Sequence, residues 1–256
     1  MRVSRVGYAA AKGTRHLARE RLVLAADGVV GDRRWCFVAA RRVLRTVAHP
    51  ELVGLVLDEV GDELVLSPPG GGPVRAPVVL SGESVTCDYW GREVALELVD
   101  GPFAEAASAH LGVSVRLARA PAGGVVYGGS VSLVGAESVA AIGDLDPARV
   151  RANIVVETGG VFVEDDWVGR DVAVGSAVVR VVSRTPRCAV LDLDPLTGTR
   201  GPGVLAALAA LRGTPTLGVD GHVLRPGLVH PGDPVVPAVG WAAPRRWLSS
   251  EGTAVG

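Results

Sequence analysis

Cys188 stands in the stretch TPRCAVLDLDPLTG, residues 185–198, and is one of three cysteines in a chain of 256 residues. A cysteine can be a nucleophile, a soft metal ligand or a small core residue, and its own type leaves all three open. Cys36, Cys87 and Cys188 are widely spaced, with no CxxC pair. That spacing excludes a zinc knot, a four-cysteine iron–sulfur cluster and a disulfide framework. A second candidate is Lys12, the single lysine beside 25 arginines. Lysine presents a compact point charge with three donors, which the planar arginine fork does not reproduce. Arg151 and Asn153 form an R-x-N pair ahead of an apolar strand pattern, and Arg33 lies in the basic run GDRRW. Glu164, Asp165 and Asp166 cluster before Trp167, but three acids in a loop read first as turn residues that accept backbone hydrogen bonds. The same holds for Asp194 in DPLTG. The five histidines, at 16, 49, 110, 222 and 230, are too scattered to suggest zinc or a catalytic dyad.

Charge adds to this. The net charge is −1, so the chain as a whole does not advertise a nucleic-acid partner. Residues 1–50 nevertheless carry 11 Lys/Arg against 3 Asp/Glu, a local excess suited to a compact anion such as a phosphate. No apolar run reaches the length of a membrane span and the N-terminus lacks a signal-peptide core. The expected location is therefore the cytoplasm.

The elements that must position these residues are mostly strands. Valine-rich runs broken by Gly and Pro predict strands at 2–8, 21–26, 35–40, 152–157, 161–163, 171–182, 187–193, 216–224 and 233–236. Helices are expected at 102–111, 136–143 and 202–212, the first and third stopped by Gly112 and Gly213. Few helices among many strands argue for an α+β, mainly β chain with a barrel. The Gly-rich stretch APAGGVVYGG, residues 120–129, reads as a linker. The expected organisation is a β-rich part over 1–120, a barrel over 121–240 and a frayed tail over 241–256.

Three segments in order, GYAAAKGTRHL with GDRRWCFV, then RVRANIVVETGGVFVEDDWVG, then TPRCAVLDLDPLTG, resemble the MOSC family. Within that family they are most similar to the mitochondrial amidoxime reducing component and its bacterial relatives. The resemblance covers roughly residues 1–237, with a MOSC β-barrel preceded by its associated β-barrel-like domain. It implies a molybdenum cofactor (molybdopterin) with Cys188 as molybdenum ligand and catalytic residue. It implies Lys12, Arg33, Arg151 and Asn153 as cofactor-binding residues. The implied activity is an oxidoreductase that reduces N-hydroxylated small molecules, fed by a separate electron-donor protein. Neither nucleic acid nor membrane is an expected partner. Two alternatives stay open: a persulfide sulfur transferase or cofactor-free biosynthetic enzyme using Cys188, and a non-enzymatic cofactor carrier. The chain departs from the family pattern at Ala10-Ala11 for Pro-Val, Gly13 for Ser, Ala152 for Pro and Thr185 for a second cysteine.

Overall fold

The computed structural model describes residues 1–201 and 203–238. Among these there are nineteen short strands and three α-helices, Phe103–Leu111, Ala136–Ala140 and Val204–Arg212, as the mainly β reading requires. The expected tail over 241–256 and Pro202 of the third helix lie outside the described residues.

Two sheets dominate. Strands Trp35–Ala39, Arg42–Val43, Val79–Tyr89, Arg92–Asp100 and Arg116–Arg119 close into a five-stranded barrel. Trp35–Ala39 shows why: its first four residues are all buried, because successive side chains point to opposite faces and both faces are covered. Cys36 and Val38 enter the barrel core with Cys87, Tyr89 and Leu96. Trp35 and Phe37 face a second core with Leu52, Leu64 and Phe103.

The second sheet has eight strands and is not confined to the second half of the chain. Its central strands, Val131–Gly135, Ile154–Glu157, Ala177–Pro186 and Thr216–Arg225, are extended by Arg2–Tyr8, which runs antiparallel to Ile154–Glu157. The ladder then almost closes on itself. Val3 N donates to Asp233 O at 2.9 Å, Gly232 N to Val3 O at 2.8 Å and Val235 N to Met1 O at 3.0 Å. The N-terminal strand thus nearly closes this sheet, whose other strands, apart from Leu17–Arg19, come after residue 130, across the linker expected near residue 120; the closed barrel among the described residues is the five-stranded one. Val3, Val6, Leu22 and Leu24 share one core with Val131, Leu133, Ile154 and Val179.

Val131–Gly135 and Ile154–Glu157 are parallel, joined through the helix Ala136–Ala140, the crossover that parallel pairing needs. Local expectations fail in three places. Residues 161–163 and 187–193 are not strands: short 3₁₀ turns occupy Val163–Trp167 and Ala189–Asp192. The run 171–182 is two strands of a hairpin, Asp171–Val174 and Ala177–Pro186, bent at Gly175. In each place apolar residues continue through a turn whose geometry is set by side-chain and tertiary bonds rather than by hydrophobic pattern.

Candidate active site

Lys12, Arg33, Arg151, Asn153 and Cys188 all line one cleft of about 310 Å³. They reach it from separate parts of the chain. After the strand Arg2–Tyr8, three alanines, Ala9 to Ala11, run fully buried beside residues 33–35. Arg33 N donates to Ala9 O at 2.8 Å, Trp35 N to Ala10 O at 3.0 Å and Lys12 N to Trp35 O at 2.7 Å. These bonds fix Lys12 and Arg33 on the same wall, and the small side chains of Ala10 and Ala11 permit the close approach. Gly13 follows with φ +89°, and a Cβ there would lie 2.9 Å from both Leu52 Cδ1 and Thr46 Oγ1. Glycine therefore occupies a position that serine could take only with strain and displacement.

Arg151 follows the 3₁₀ turn Pro147–Arg149 and precedes Ile154–Glu157, with φ 58°. Arg33 has φ 49°, and Trp90, also in the cleft, φ 56°. Left-handed backbone at a residue other than glycine costs of order 1 kcal/mol and collects at functional sites. Three of the six such residues described here line this one cleft.

Cys188 ends the approach from the strand Ala177–Pro186 and caps the 3₁₀ turn Ala189–Asp192, with its carbonyl accepting from Leu191 N at 3.0 Å. It is exposed, whereas Cys36 and Cys87 are buried, and burial pushes the Cys36 thiol up to about 12. A core-filling role for Cys188 is thereby excluded, and Cys36 is an inert core residue. Arg187 does not serve the thiol by hydrogen bonding. Its guanidinium donates to Leu217 O and Val150 O, at 2.8 and 2.9 Å, pinning two strands and the loop before Arg151.

Asn153 lines the cleft floor but its side chain is spent inside the protein. Its Oδ1 accepts from Ser132 N at 3.1 Å and Ser132 Oγ at 2.9 Å, and its Nδ2 donates to Gly7 O at 3.4 Å and Asp32 Oδ2 at 3.2 Å. Asn153 ties three strands and the basic loop together. Asp32, which it holds, pairs with Arg33 and accepts from Ala9 N at 3.4 Å. Sequence reasoning missed Asp32, although its place beside Arg33 in GDRRW was the available signal. It also missed Asp220, which is 3% exposed and, among the described residues, the one acidic side chain lining the cleft. Burial raises its pKa, against the pull of Arg187.

Positive charge dominates the walls: Lys12, Arg33, Arg45, Arg149, Arg151 and Arg187 against Asp220. The crowding is expressed in Lys12, whose pKa is lowered to about 7 by burial and then by Arg33 and Arg151. Arg151 is lowered likewise, by burial first and Arg33 second. Such a cluster suits a bound polyanion, which would relieve the repulsion.

The acidic and histidine candidates fall elsewhere. Glu164 is fully buried, accepting from Gly135 N at 3.0 Å and Ser138 Oγ at 2.8 Å. Asp165 pairs with Arg212 and, at 3.2 Å, with Arg184. Asp194 accepts from Leu196 N at 3.0 Å and Thr197 N at 2.8 Å, a turn as the sequence suggested. Among the described residues no group of three His, Cys, Asp or Glu could hold a metal ion, and no helix is long and apolar enough to cross a membrane.

Residues 129–236 match the family model described as the MOSC domain. No curated protein matches the sequence. The chain is similar to the solved structure of the YuaD protein from Bacillus subtilis, at 13% identity and TM-score 0.45, covering 91% of this chain and 93% of that one. It is also similar to YiiM from Geobacillus stearothermophilus, at 19% identity and TM-score 0.34 over 43% of this chain and 55% of that one. A third is a Bordetella bronchiseptica protein solved in solution, at 24% identity and TM-score 0.29 over 41% of this chain and 89% of that one.

Proposed function

We propose, from the premise that residues 129–236 are a MOSC domain, that this protein is a molybdenum-cofactor oxidoreductase reducing N-hydroxylated small molecules. The observation that carries the reading is the meeting, in one cleft, of an exposed thiol with three cationic side chains, Lys12, Arg33 and Arg151. The donor set fits the group. A phosphate-bearing pterin needs positive charge, and Lys12 and Arg151, which make no ion pair among the described residues, supply it beside Arg33, which Asp32 pairs. High-valent molybdenum needs a soft, reachable ligand, and Cys188 supplies that. When bound, the cofactor supplies the electron pair and the oxygen acceptor for N–O cleavage.

The chain's own residues do the rest. Lys12, Arg33 and Arg151 would hold the phosphate by charge-assisted hydrogen bonds. Asn153 acts through Asp32, fixing the Arg33 guanidinium and, through Ala9 N, the segment that leads to Lys12. Cys188 Sγ would hold the metal. Reduction of an N-hydroxyl group takes two electrons and two protons and releases water. Asp220 lines the cleft and, with its pKa raised by burial, keeps a proton on its carboxyl to higher pH than an exposed carboxylate, so we assign it as a proton donor.

The test is molybdenum and pterin analysis on protein from a host that makes the cofactor. The expected result is about one metal per chain in the natural protein and none in Cys188→Ala, with the fold retained. Equal molybdenum in both would remove Cys188 as ligand. Absence of metal and pterin from the natural protein, in a host that loads a known relative, would favour a sulfur-transfer role for the exposed thiol.

A further inference from the structure

The chain has eleven aromatic residues, and among the described residues just two of them are exposed: Trp90 at 54% and Tyr127 at 55%. Both line the mouth of the Cys188 cleft, and their ring centroids lie 5.3 Å apart at 53°. Trp90 is also held at a cost. Tyr89 and Arg92 pair across a two-residue hairpin loop, Trp90-Gly91, with φ of 56° and 76°. A loop with both residues left-handed selects Asn-Gly or Asp-Gly, and an indole in the first place is a poor local choice. The turn is fixed around it, since Asp88 Oδ1 accepts from Gly91 N at 3.0 Å. Arg92 donates to Val126 O at 2.9 Å, tying this hairpin to the loop that carries Tyr127. Arg45 lies with its guanidinium carbon 4.8 Å from the Trp90 ring centre and makes no ion pair among the described residues.

We propose that Trp90, Tyr127 and Arg45 form a specificity lip that selects a flat aromatic ligand bearing a carboxylate. The two rings supply the stacking surface, and the unpaired guanidinium beside them supplies the anion contact. A cationic ligand would meet a mouth and walls already rich in arginine. Read with the proposed reaction, on which this substrate assignment rests, the substrate class is an aromatic acid carrying the N–O group. Binding at the lip does not itself require the metal.

Isothermal calorimetry with 2-naphthoate, 2-naphthamide and 2-naphthamidine tests it, with molybdenum measured on the same batch. The acid is expected to bind tightest and the amidine weakest. Trp90→Asn installs a residue the turn prefers, so it is expected to melt no lower than the natural protein while weakening the acid and the amide about tenfold. Arg45→Gln is expected to abolish the preference for acid over amide and leave amide affinity unchanged. Tightest binding of the amidine, no binding of any of the three, or unchanged affinity in Trp90→Asn would overturn the lip. Acid-selective binding in protein that carries no molybdenum would uphold the lip while counting against the cofactor reading, so the two can fail separately.

Discussion

Lys12 sits where its charge is expensive. Its pKa of about 7, set by burial and then by Arg33 and Arg151, is well below the ordinary 10.5. Between those values the unfolded chain binds more protons than the folded one, so this group makes stability rise with pH from about 7 to 10.5. A bound dianion reverses the balance by favouring charged lysine. At pH 8 a phosphate monoester such as glycerol 3-phosphate is already fully ionised, since its second pKa is about 6. Binding is therefore expected to take up close to one proton at pH 8, and affinity to fall by up to about tenfold per unit above pH 7. Calorimetry in two buffers of different ionisation enthalpy reads the uptake, and Lys12→Arg is expected to remove it. Binding without proton uptake would place the anion away from Lys12. Replacing Lys12 by Ala removes the contact outright, at about 1.5–3 kcal/mol for a charged hydrogen bond. The lysine was legible because its type is unique in the chain. Asp220 was not, because aspartate is common, and Asp32 showed only its neighbour Arg33: Asn153, which holds it in the site, is 121 residues away.

At the scale of elements, the site is built on turns rather than on strand interiors. Arg33 and Arg151 keep left-handed backbone at φ 49° and 58°, and Arg151 adds a desolvated charge. Glycine takes that conformation freely. Arg151→Gly is expected to release about 1 kcal/mol of strain. That corresponds to a rise of about 2–4 °C in the melting temperature of the ligand-free protein. The same variant is expected to lose phosphate-ester affinity by tenfold or more. Thermal melts with and without ligand check both, and a lower melting temperature without ligand would show that Arg151 stabilises the fold. Helix ends were readable from sequence, because Gly112 and Gly213 take the left-handed cap at φ 66° and 70°. The turn after Cys188 was not. Its AVLDL run imitates a strand, while bonds from outside add to the turn's own and hold it bent. Asp192 Oδ1 accepts from Leu205 N at 2.8 Å, capping the helix Val204–Arg212, and Leu193 O accepts from Arg149 at 2.6 Å. That turn is what leaves Cys188 exposed instead of packed in a sheet.

For the molecule as a whole, the MOSC match over 129–236 holds Arg151, Asn153 and Cys188 but neither Lys12 nor Arg33. The missing half of the charge cluster arrives on the same N-terminal segment that completes the large sheet. Strand composition could announce a barrel. It could not announce that residues 2–8 join the eight-stranded sheet, because a strand's partner is fixed by tertiary register rather than by local pattern. This makes folding and site assembly a single event. Without residues 1–30, Ile154–Glu157 becomes an open edge, and the core loses Val3, Val6, Leu22 and Leu24, each at most 1% exposed. Each such side chain contributes about 1.5–3 kcal/mol by burial, so together they match the stability of a whole domain. A fragment of residues 121–238 is expected to show no cooperative melt by circular dichroism. Met1 O accepts from Val235 N at 3.0 Å, so the N-terminus already lies beside the last strands. Joining residues 1–30 to the end of that fragment through a short Gly-Ser linker is therefore expected to restore cooperative unfolding, while the anion site stays incomplete without Arg33. A sharp melt from the fragment alone would mean that the sheet stands without its first strand, and that the N-terminal segment serves the site rather than the fold.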